Sequence, residues 1–347
     1  MTASREPSPD RPAPLTIAEI AERAAVSIST VSKVVNGRAE VALDTRVAIE
    51  KIIEEHGYRR QRKRASRSAA IELVFHELEP ASGYAMEIIS GVEQVTRRHR
   101  LSLVLSQLQG RQVADPAWFE GLVHRCPSGV IAVFSGFTAA QTEHLRKREI
   151  PLVLVDPTGE PSHEVPSVGA GNWSGGLTAT RHLLELGHRR IAIITGPSSL
   201  LSARARLDGY RAAMDQAGVP VDPGLVRGDS FVFEEGIEHA LALLALPDPP
   251  TAIFGSNDGL AMGIYQAVAR TGLRVPDDVS VIGFDDLTPS QWVSPPLTTV
   301  HQPLKDMGMA GASMAVSLAN GESLPQNRLI LSTELIVRGS TAPPARR

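Results

Sequence analysis

The sequence predicts a small all-α unit of three helices followed by a larger α/β body of two Rossmann-like lobes with a ligand cleft between them. Three observations carry that prediction. Residues 15–36, LTIAEIAERAAVSISTVSKVVN, place apolar residues at helical spacing on two short segments joined by a tight turn, the pattern of a helix-turn-helix. After Ser68, short continuous apolar runs alternate with helical segments, which is the grammar of a parallel sheet covered on both faces. Charge changes sign at the same border. Residues 15–68 hold 11 Lys or Arg against 7 acids, a net of +4; Arg5 and Arg11 balance Glu6 and Asp10 before them, so the chain total of -3 leaves -7 after Ser68. A basic head on an acidic body is the asymmetry of a phosphate-binding module joined to a domain that does not bind nucleic acid.

The first helix starts near Ile17, because Thr16 can cap it while Glu19 three residues later reaches back. Ile17, Ile20, Ala21 and Ala24 share one face, and Val26 is the apolar plug of the turn. Ser27 caps the second helix, where Val31, Val34 and Val35 point inward and Ile28, Ser29, Thr30, Ser32 and Lys33 face outward near its first turns, the part of such a helix that enters a major groove. Asp44 is the expected cap of a third helix over 45–55, with Val47, Ile49, Ile52 and Ile53 available to its core and Gly57 as terminator. Two amphipathic helices and a turn also occur in helical domains that bind no DNA; the basic charge favours the DNA-reading alternative.

A chain of 347 residues leaves, beyond this head, roughly 280 for one large or two-lobed body. The apolar runs of that body are 71–75, 101–105, 129–134, 151–156, 190–196, 251–255 and 279–284. Several end in polar or glycine residues: Asp156, Thr195 with Gly196, Ser256-Asn257-Asp258, and Asp285-Asp286. Ligands of parallel sheets sit beyond the carboxyl ends of the strands, so these tips converge on the expected site. With one cysteine, Cys126, no intramolecular disulfide can form, and Cys126 reads as a small apolar residue, buried or half-buried. Residues 1–14 are polar and proline-rich, an expected disordered extension without the apolar core of a secretory signal, and no run approaches ~18 apolar residues, so a cytoplasmic protein is expected. Neither a metal site nor a cofactor cradle is legible: His76-Glu77 lacks the second histidine of a zinc site, and no nucleophile elbow or Walker sequence is present. An enzyme is therefore not expected.

Six ordered motifs, VSISTVSKVVNG from Val26, GHRRIAIITGP from Gly187, SARARLDGY from Ser202, SNDGLAMG from Ser256, VSVIGFDD from Val279 and PPLTTVHQP from Pro295, resemble the lactose-repressor (LacI/GalR) family of bacterial transcription regulators from about Leu15 to the C-terminus. The resemblance implies a helix-turn-helix at 15–58, a basic hinge at 59–70, and a body at 71–341 like the type I periplasmic sugar-binding proteins, with a tail at 342–347. It implies lobes of 71–171 plus roughly 304–331, and 172–302 plus 332–341 with the final strand over 333–338, linked by a double crossing of the cleft. It further implies a homodimer on a palindromic operator, a repressor of carbohydrate-use genes, and lobe closure that couples effector to operator. No heptad leucine tail follows Pro344, so a coiled-coil tetramer is not expected.

Carried over by motif, Ile28, Ser29 and Lys33 face base edges, with Ser27, Thr30 and Asn36 nearer the phosphates; Thr16, Tyr58 and the hinge residues Arg59, Arg64 and Arg67 complete the expected DNA-binding set. A lysine there suits guanine acceptors; Ile28 offers only apolar contact, as to a thymine methyl. The hinge departs from the family pattern. Arg60 stands where the family has a proline, and Arg67 where it has the leucine that wedges into the minor groove. An arginine enters a narrow minor groove electrostatically but cannot unstack a base step, so both a hinge that folds on DNA and a solvated linker remain open. Six basic residues over 59–67 give steep salt dependence in either case.

In the body the resemblance points to Arg206, Asn257, Asp285 and Gln302 as a polar clamp, with Asp156 at another tip and Glu77 near the cleft mouth. Arg, Asn and Asp offer paired donors and acceptors suited to vicinal hydroxyls; strand-end capping or a lobe-to-lobe salt bridge is the alternative role for each carboxylate. The stacking face for a sugar ring comes from Tyr84, Trp173, Phe231, Phe233 or Phe284, with Phe231 and Trp173 foremost, whereas Trp292 reads as an interface or core residue. The segment IELVFHELE after the hinge is similar to regulators of plant-wall sugar use, so xylose, a xylo-oligosaccharide or cellobiose is the expected effector. A sugar-transport binding protein, a cytosolic sugar binder without a regulatory role, and a regulator with a non-sugar effector are the alternatives.

Overall fold

The computed structural model describes residues 15–35, 41–56, 68–76, 83–109, 113–159 and 164–345. The chain divides into two compact units, Met1–Ser66 and Arg67–Arg347. The expectations for Asn36, Gly57, Tyr58, Arg59, Arg60, Arg64, Arg67 and Glu77 lie outside the described residues.

In the head, α1 (Ile17–Arg23) carries the capping box: the Glu19 N–H donates to Thr16 Oγ1 at 3.3 Å and the Thr16 N–H donates to Glu19 Oε2 at 2.7 Å. Ala25 takes the turn at φ 49°, and the Val26 N–H closes it on the Ala21 carbonyl at 3.0 Å. α2 (Ile28–Val35) starts from Ser27, whose Oγ accepts from the Thr30 N–H at 3.2 Å. The third helix, α3 (Leu43–His56), starts before the expected 45–55, with Asp44 inside its first turn rather than capping it. Leu15, Ile20, Ala21, Val31, Val34 and Ile49 form the buried core, with Ile52 and Ile53 packed on it. Val47 is 55% exposed, a correction to its expected core role. At 3.6 residues per turn it stands about 200° around the helix from Ile49, which turns it to solvent.

The body holds two six-stranded sheets. In chain order it runs β1 (Ser68–Phe75), α4 (Gly83–Arg98), β2 (Ser102–Gln107), α5 (Pro116–Arg125), β3 (Pro127–Val133), α6 (Ala139–Lys147), β4 (Leu152–Val155), β5 (Ser167–Ala170), α7 (Asn172–Glu185), β6 (Ile191–Ile194), α8 (Leu201–Gln216), β7 (Val226–Arg227), α9 (Phe233–Leu244), β8 (Ala252–Gly255), α10 (Asp258–Arg270), β9 (Ser280–Asp285), β10 (Thr298–His301), α11 (Leu304–Ala319), β11 (Arg328–Leu331) and β12 (Glu334–Ile336). The first sheet, β11-β5-β4-β3-β1-β2, is parallel throughout. The second, β12-β10-β9-β8-β6-β7, is parallel except for β12 against β10. The chain passes between the lobes after β5, after β10 and again after β11, so there are three passages where a double crossing was expected. The third arises because β11 closes the edge of the first sheet while β12 closes the edge of the second.

Each sheet has a core on both faces. In the first lobe, one cluster joins the sheet to α4 and α11 and another joins it to α5 and α6. The second lobe repeats this with α9 and α10 on one face and α7 and α8 on the other. The contact of α7 with α8 is close because it is built on glycines: a Cβ at Gly176 would run into the Arg206 backbone, and one at Gly209 into the Trp173 carbonyl. That backbone approach sets the depth at which the Arg206 side chain leaves α8.

Candidate functional sites

On the head, the outer face of α2 is presented to solvent. Ile28 is 58% exposed, although its partners in the same helix, Val31 and Val34, are buried. Ser27 and Ser29 are exposed and hydrogen-bonded through their hydroxyls at 2.7 Å; Thr30 and Lys33 are half-buried, and the Thr30 hydroxyl lies 2.8 Å from that of Ser27. Thr16 is engaged in the α1 cap. A solvent-facing isoleucine beside short hydroxyls and a lysine is chemistry for apolar and hydrogen-bonding contact with a surface brought to it.

In the body, the polar tips of the strands meet between the lobes. Arg206 is 2% exposed, and its guanidinium reaches four elements. Nε donates to Asn172 Oδ1 at 2.8 Å, Nη1 to the Ser256 carbonyl at 2.7 Å and Nη2 to Gln302 Oε1 at 2.7 Å, while Asp285 Oδ1 lies 3.5 Å from Nη2 as an ion pair. The guanidinium lies over Phe284, 3.7 Å from the ring centroid, with Phe231 at 5.8 Å. Gln302 continues across the cleft: its Nε2 donates to Asp156 Oδ2 at 3.2 Å, and the Tyr84 hydroxyl donates to the same oxygen at 2.7 Å. The Tyr84 ring packs on Phe134, 4.9 Å between centroids.

The backbone and electrostatics of these tips are unusual together. Phe134, Asp156, Asp285 and Asp286 follow or end strands with φ between 46° and 111°, a region that side chains rarely occupy and that clusters at functional sites. Burial raises the Asp156 and Asp285 carboxyls, Asp285 to about 7 even with Arg206 pulling it down. Tyr84 is pushed well above its ordinary range by burial and by Asp156 beside it. Among the described residues, the buried side-chain atoms without a hydrogen bond include Ser202 Oγ, Ser256 Oγ and Asp285 Oδ1, all borne by residues in or next to this network. Such atoms are expensive in a finished core and ordinary in a cradle that receives hydroxyls.

The structure thus brings Tyr84, Asp156, Arg206, Phe231, Asp285 and Gln302 together. Asn257 is differently employed: its Oδ1 accepts the Leu260 N–H to cap α10 at 2.8 Å and its Nδ2 donates to the Phe231 carbonyl at 3.2 Å, so it positions Phe231 and the helix. Phe231 packs so tightly on Gly196 that no Cβ fits there. Trp173, on the first turn of α7, is 46% exposed; Phe233 is 37% exposed; Phe284 serves as the floor under Arg206. Trp292 is 75% exposed, which corrects the core alternative for it. Cys126 is half-buried at the end of α5. Sequence reasoning missed Asn172 and Ser202, and read Ser256 and Asp258 only as part of a strand tip, without a role of their own. Ser202 was within reach, standing one turn before Arg206 on one helical face. Asp258 is fully buried, accepts from Thr299 and the Leu287 N–H, and is held well above the usual carboxylate range by burial. Among the described residues no cluster of three or more His, Cys, Asp or Glu could hold a metal, and no helix is long and apolar enough to cross a membrane.

A helix-turn-helix joined to a two-lobed body with a polar interlobe network defines a ligand-responsive DNA-binding regulator. The family model for bacterial regulatory proteins of the lacI family matches residues 16–61, and that of a periplasmic binding protein-like domain matches 180–341. The chain is 31% identical over 333 residues to the HTH-type transcriptional repressor CytR of Escherichia coli K12, covering 94% of this chain and 96% of that one. It is 32% identical to the HTH-type transcriptional regulator DegA of Bacillus subtilis 168, covering 94% and 98%. Among solved structures, a CelR–cellobiose complex superposes with a TM-score of 0.71 at 32% identity over 94% of this chain and 99% of that one. A lac repressor dimer bound to operator and an anti-inducer superposes at 0.67 with 26% identity over 95% and 100%. The chain belongs to the lacI family of bacterial transcription regulators.

Proposed function

We propose that this regulator represses carbohydrate-use genes from the cytoplasm, as a homodimer on a palindromic operator, and that a sugar in the interlobe cleft sets its operator affinity. It carries no enzymatic activity in this reading. The observation that supports it most is the network through Arg206 and Gln302: Gln302 and Asp156 lie on different lobes and share a hydrogen bond, so a hydroxyl-bearing ligand that re-pairs them changes how the lobes meet. Two of the relatives point the same way, one a ribose operon repressor and one solved with cellobiose. Ligand binding that favours one lobe arrangement shifts the population of DNA-competent dimers, and by reciprocity operator shifts sugar affinity equally. On the head, Ile28, Ser29 and Lys33 read bases while Thr16, Ser27, Thr30 and Asn36 hold phosphates, with the hinge arginines adding salt-dependent affinity.

The test selects the preferred duplex from a randomised palindromic pool and measures its affinity by fluorescence anisotropy with xylose, xylobiose, ribose and cellobiose present in turn. One sugar is expected to change operator affinity at least about fivefold, the low end of ordinary allosteric coupling, and Arg206→Ala abolishes the response. Lys33→Ala is expected to narrow the gap between selected and scrambled duplex; equal losses on both would remove Lys33 from base reading. Selected binding that no sugar alters would defeat the sugar reading and leave the DNA-binding one intact.

A further inference from the structure

Of the buried charged residues in the described body, Asp156, Asp285 and one base, Arg206, meet at the cleft, while Asp258 accepts from Thr299 and the Leu287 N–H and is raised in part by Asp285. The base is already committed. Its Nε, Nη1 and Nη2 donate to Asn172, Ser256 and Gln302, its face covers Phe284, and Asp285 stands as its counter-ion. The unsatisfied atoms around it are of the opposite character: a carboxylate oxygen, Asp285 Oδ1, and two hydroxyls, Ser202 Oγ and Ser256 Oγ. Hydroxyls of a ligand can donate to the first and exchange hydrogen bonds with the others. An ionised phosphate can accept from the two hydroxyls but has no proton to give Asp285 Oδ1, and it would bring its own charge, about -1.5 to -2, into a water-poor site whose one base is already committed. The N-termini of α7 and α8, neither with a side-chain cap, supply partial positive charge of about half a unit each, which the acids outnumber.

We propose that this cleft selects uncharged, hydroxyl-rich rings and rejects their phosphorylated counterparts, and that Asp156 and Asp285, one on each lobe, set that selectivity. The proposal rests on the sugar reading and narrows it. It also has a signature that needs no ligand. The groups facing the two acids are Tyr84 from α4, Arg206 from α8 and Asp258 from α10, with Asp286 next in the chain, paired to Arg338 and His301. Burial, with Asp156 beside it, raises Asp285 from 3.8 to about 7 against the pull of Arg206, so a share of this carboxyl holds its proton in the folded chain near neutrality. The folded state then binds more protons than the unfolded one between about 4 and 7, so the stability of the body falls as pH rises through that window.

The experiment uses the full chain. Calorimetric titration compares glucose with glucose 6-phosphate, ribose with ribose 5-phosphate, and cellobiose with its phosphate ester. A free sugar that binds on the order of tenfold or more tightly than its phosphate, with the gap narrowed in Asp156→Asn, supports the proposal. A phosphate that binds as tightly as its parent, or alone, overturns it. Denaturation from pH 5 to pH 8 is measured in parallel on the wild type, Asp285→Asn and Asp156→Asn. A decline with rising pH that flattens in Asp285→Asn supports a carboxyl held in a water-poor cleft even if no sugar binds, in which case the sugar reading alone has failed. Superimposable pH profiles in all three proteins overturn the selectivity argument at its root.

Discussion

The head and the body handle their functional side chains in opposite ways. On α2 the groups assigned to DNA stand outside a core of six buried residues, with Ile28 58% exposed. In the body the corresponding groups are inside: Arg206 is 2% exposed, Asp156 4%, Asp285 5% and Gln302 1%, each tied to the others or to the backbone. A surface that reads a large, charged partner can leave its readers in water until the partner arrives. A cleft that reads a small ligand must enclose it, so its readers join the packing of the body and carry part of its stability. The lesson is that binding and stability are separable in the head and coupled in the cleft.

The largest expected effect tests the coupled side. Arg206→Ala removes the one buried base of the cleft and leaves Asp285 without its counter-ion, Gln302 and Asn172 without their donors, and a void above Phe284. Losing one member of a buried, hydrogen-bonded ion pair costs about 3–5 kcal/mol, read as the unfolding free energy of the body in urea well above pH 7, where Asp285 is ionised beside Arg206. The cost shrinks at lower pH, where Asp285, raised to about 7, takes up a proton and no longer needs the cation. A loss under about 1 kcal/mol, within the range of ordinary surface changes, would mean that the cleft is as separable from stability as the head.

The same division explains what the sequence made legible. The long apolar runs that became β1, β3 and β9 stood out, and so did the acids Asp156 and Asp285, because a charged residue directly after an apolar run is conspicuous. The strands β5, β7, β10 and β11 were not among the runs read. β5 and β7 span four and two residues, and β10 reads TTVH, whose threonines are fully buried only because Thr299 donates to Asp258 and Thr298 meets Ser340. Asn172 escaped, and Asp258 was legible only as part of a strand tip, for a related reason. Each is polar at a helix start, where capping is the ordinary role, and only the arrival of α8 or β10 from elsewhere in the chain gives it another partner. Asn257 was the converse: its motif suggested a clamp, while its own helix claims its carbonyl oxygen as a cap. The register of α3 shifted because Asp44 looked like a cap to local reasoning, yet the helix begins at Leu43.

In the head, a middling effect is expected where a polar side chain holds the backbone. Thr16→Ala removes both the acceptor for the Glu19 N–H and the hydroxyl that donates to Glu19 Oε2. Loss of a capping residue costs about 1 kcal/mol, and α1 at seven residues has little length with which to absorb it. The melt of the isolated transition assigned to the head falls, and the melt of the body, a separate compact unit, does not. Equal shifts in both transitions would show that the two units unfold together.

The smallest effect on stability belongs to the residue that contradicts its own chemistry most. Ile28 is an isoleucine held 58% exposed on a helix whose other face buries Val31 and Val34. A side chain that contributed to the core could not be shortened without cost; one that waits for a partner can. Ile28→Ala is expected to change the unfolding free energy of the head by less than about 0.5 kcal/mol, helped by the better helix propensity of alanine. At the same time it shifts the sequences recovered from a randomised operator pool at the positions where a thymine methyl is preferred. A destabilisation of 2 kcal/mol or more, the cost of truncating a core isoleucine, would place Ile28 in the packing of the head and erase the contrast with the cleft.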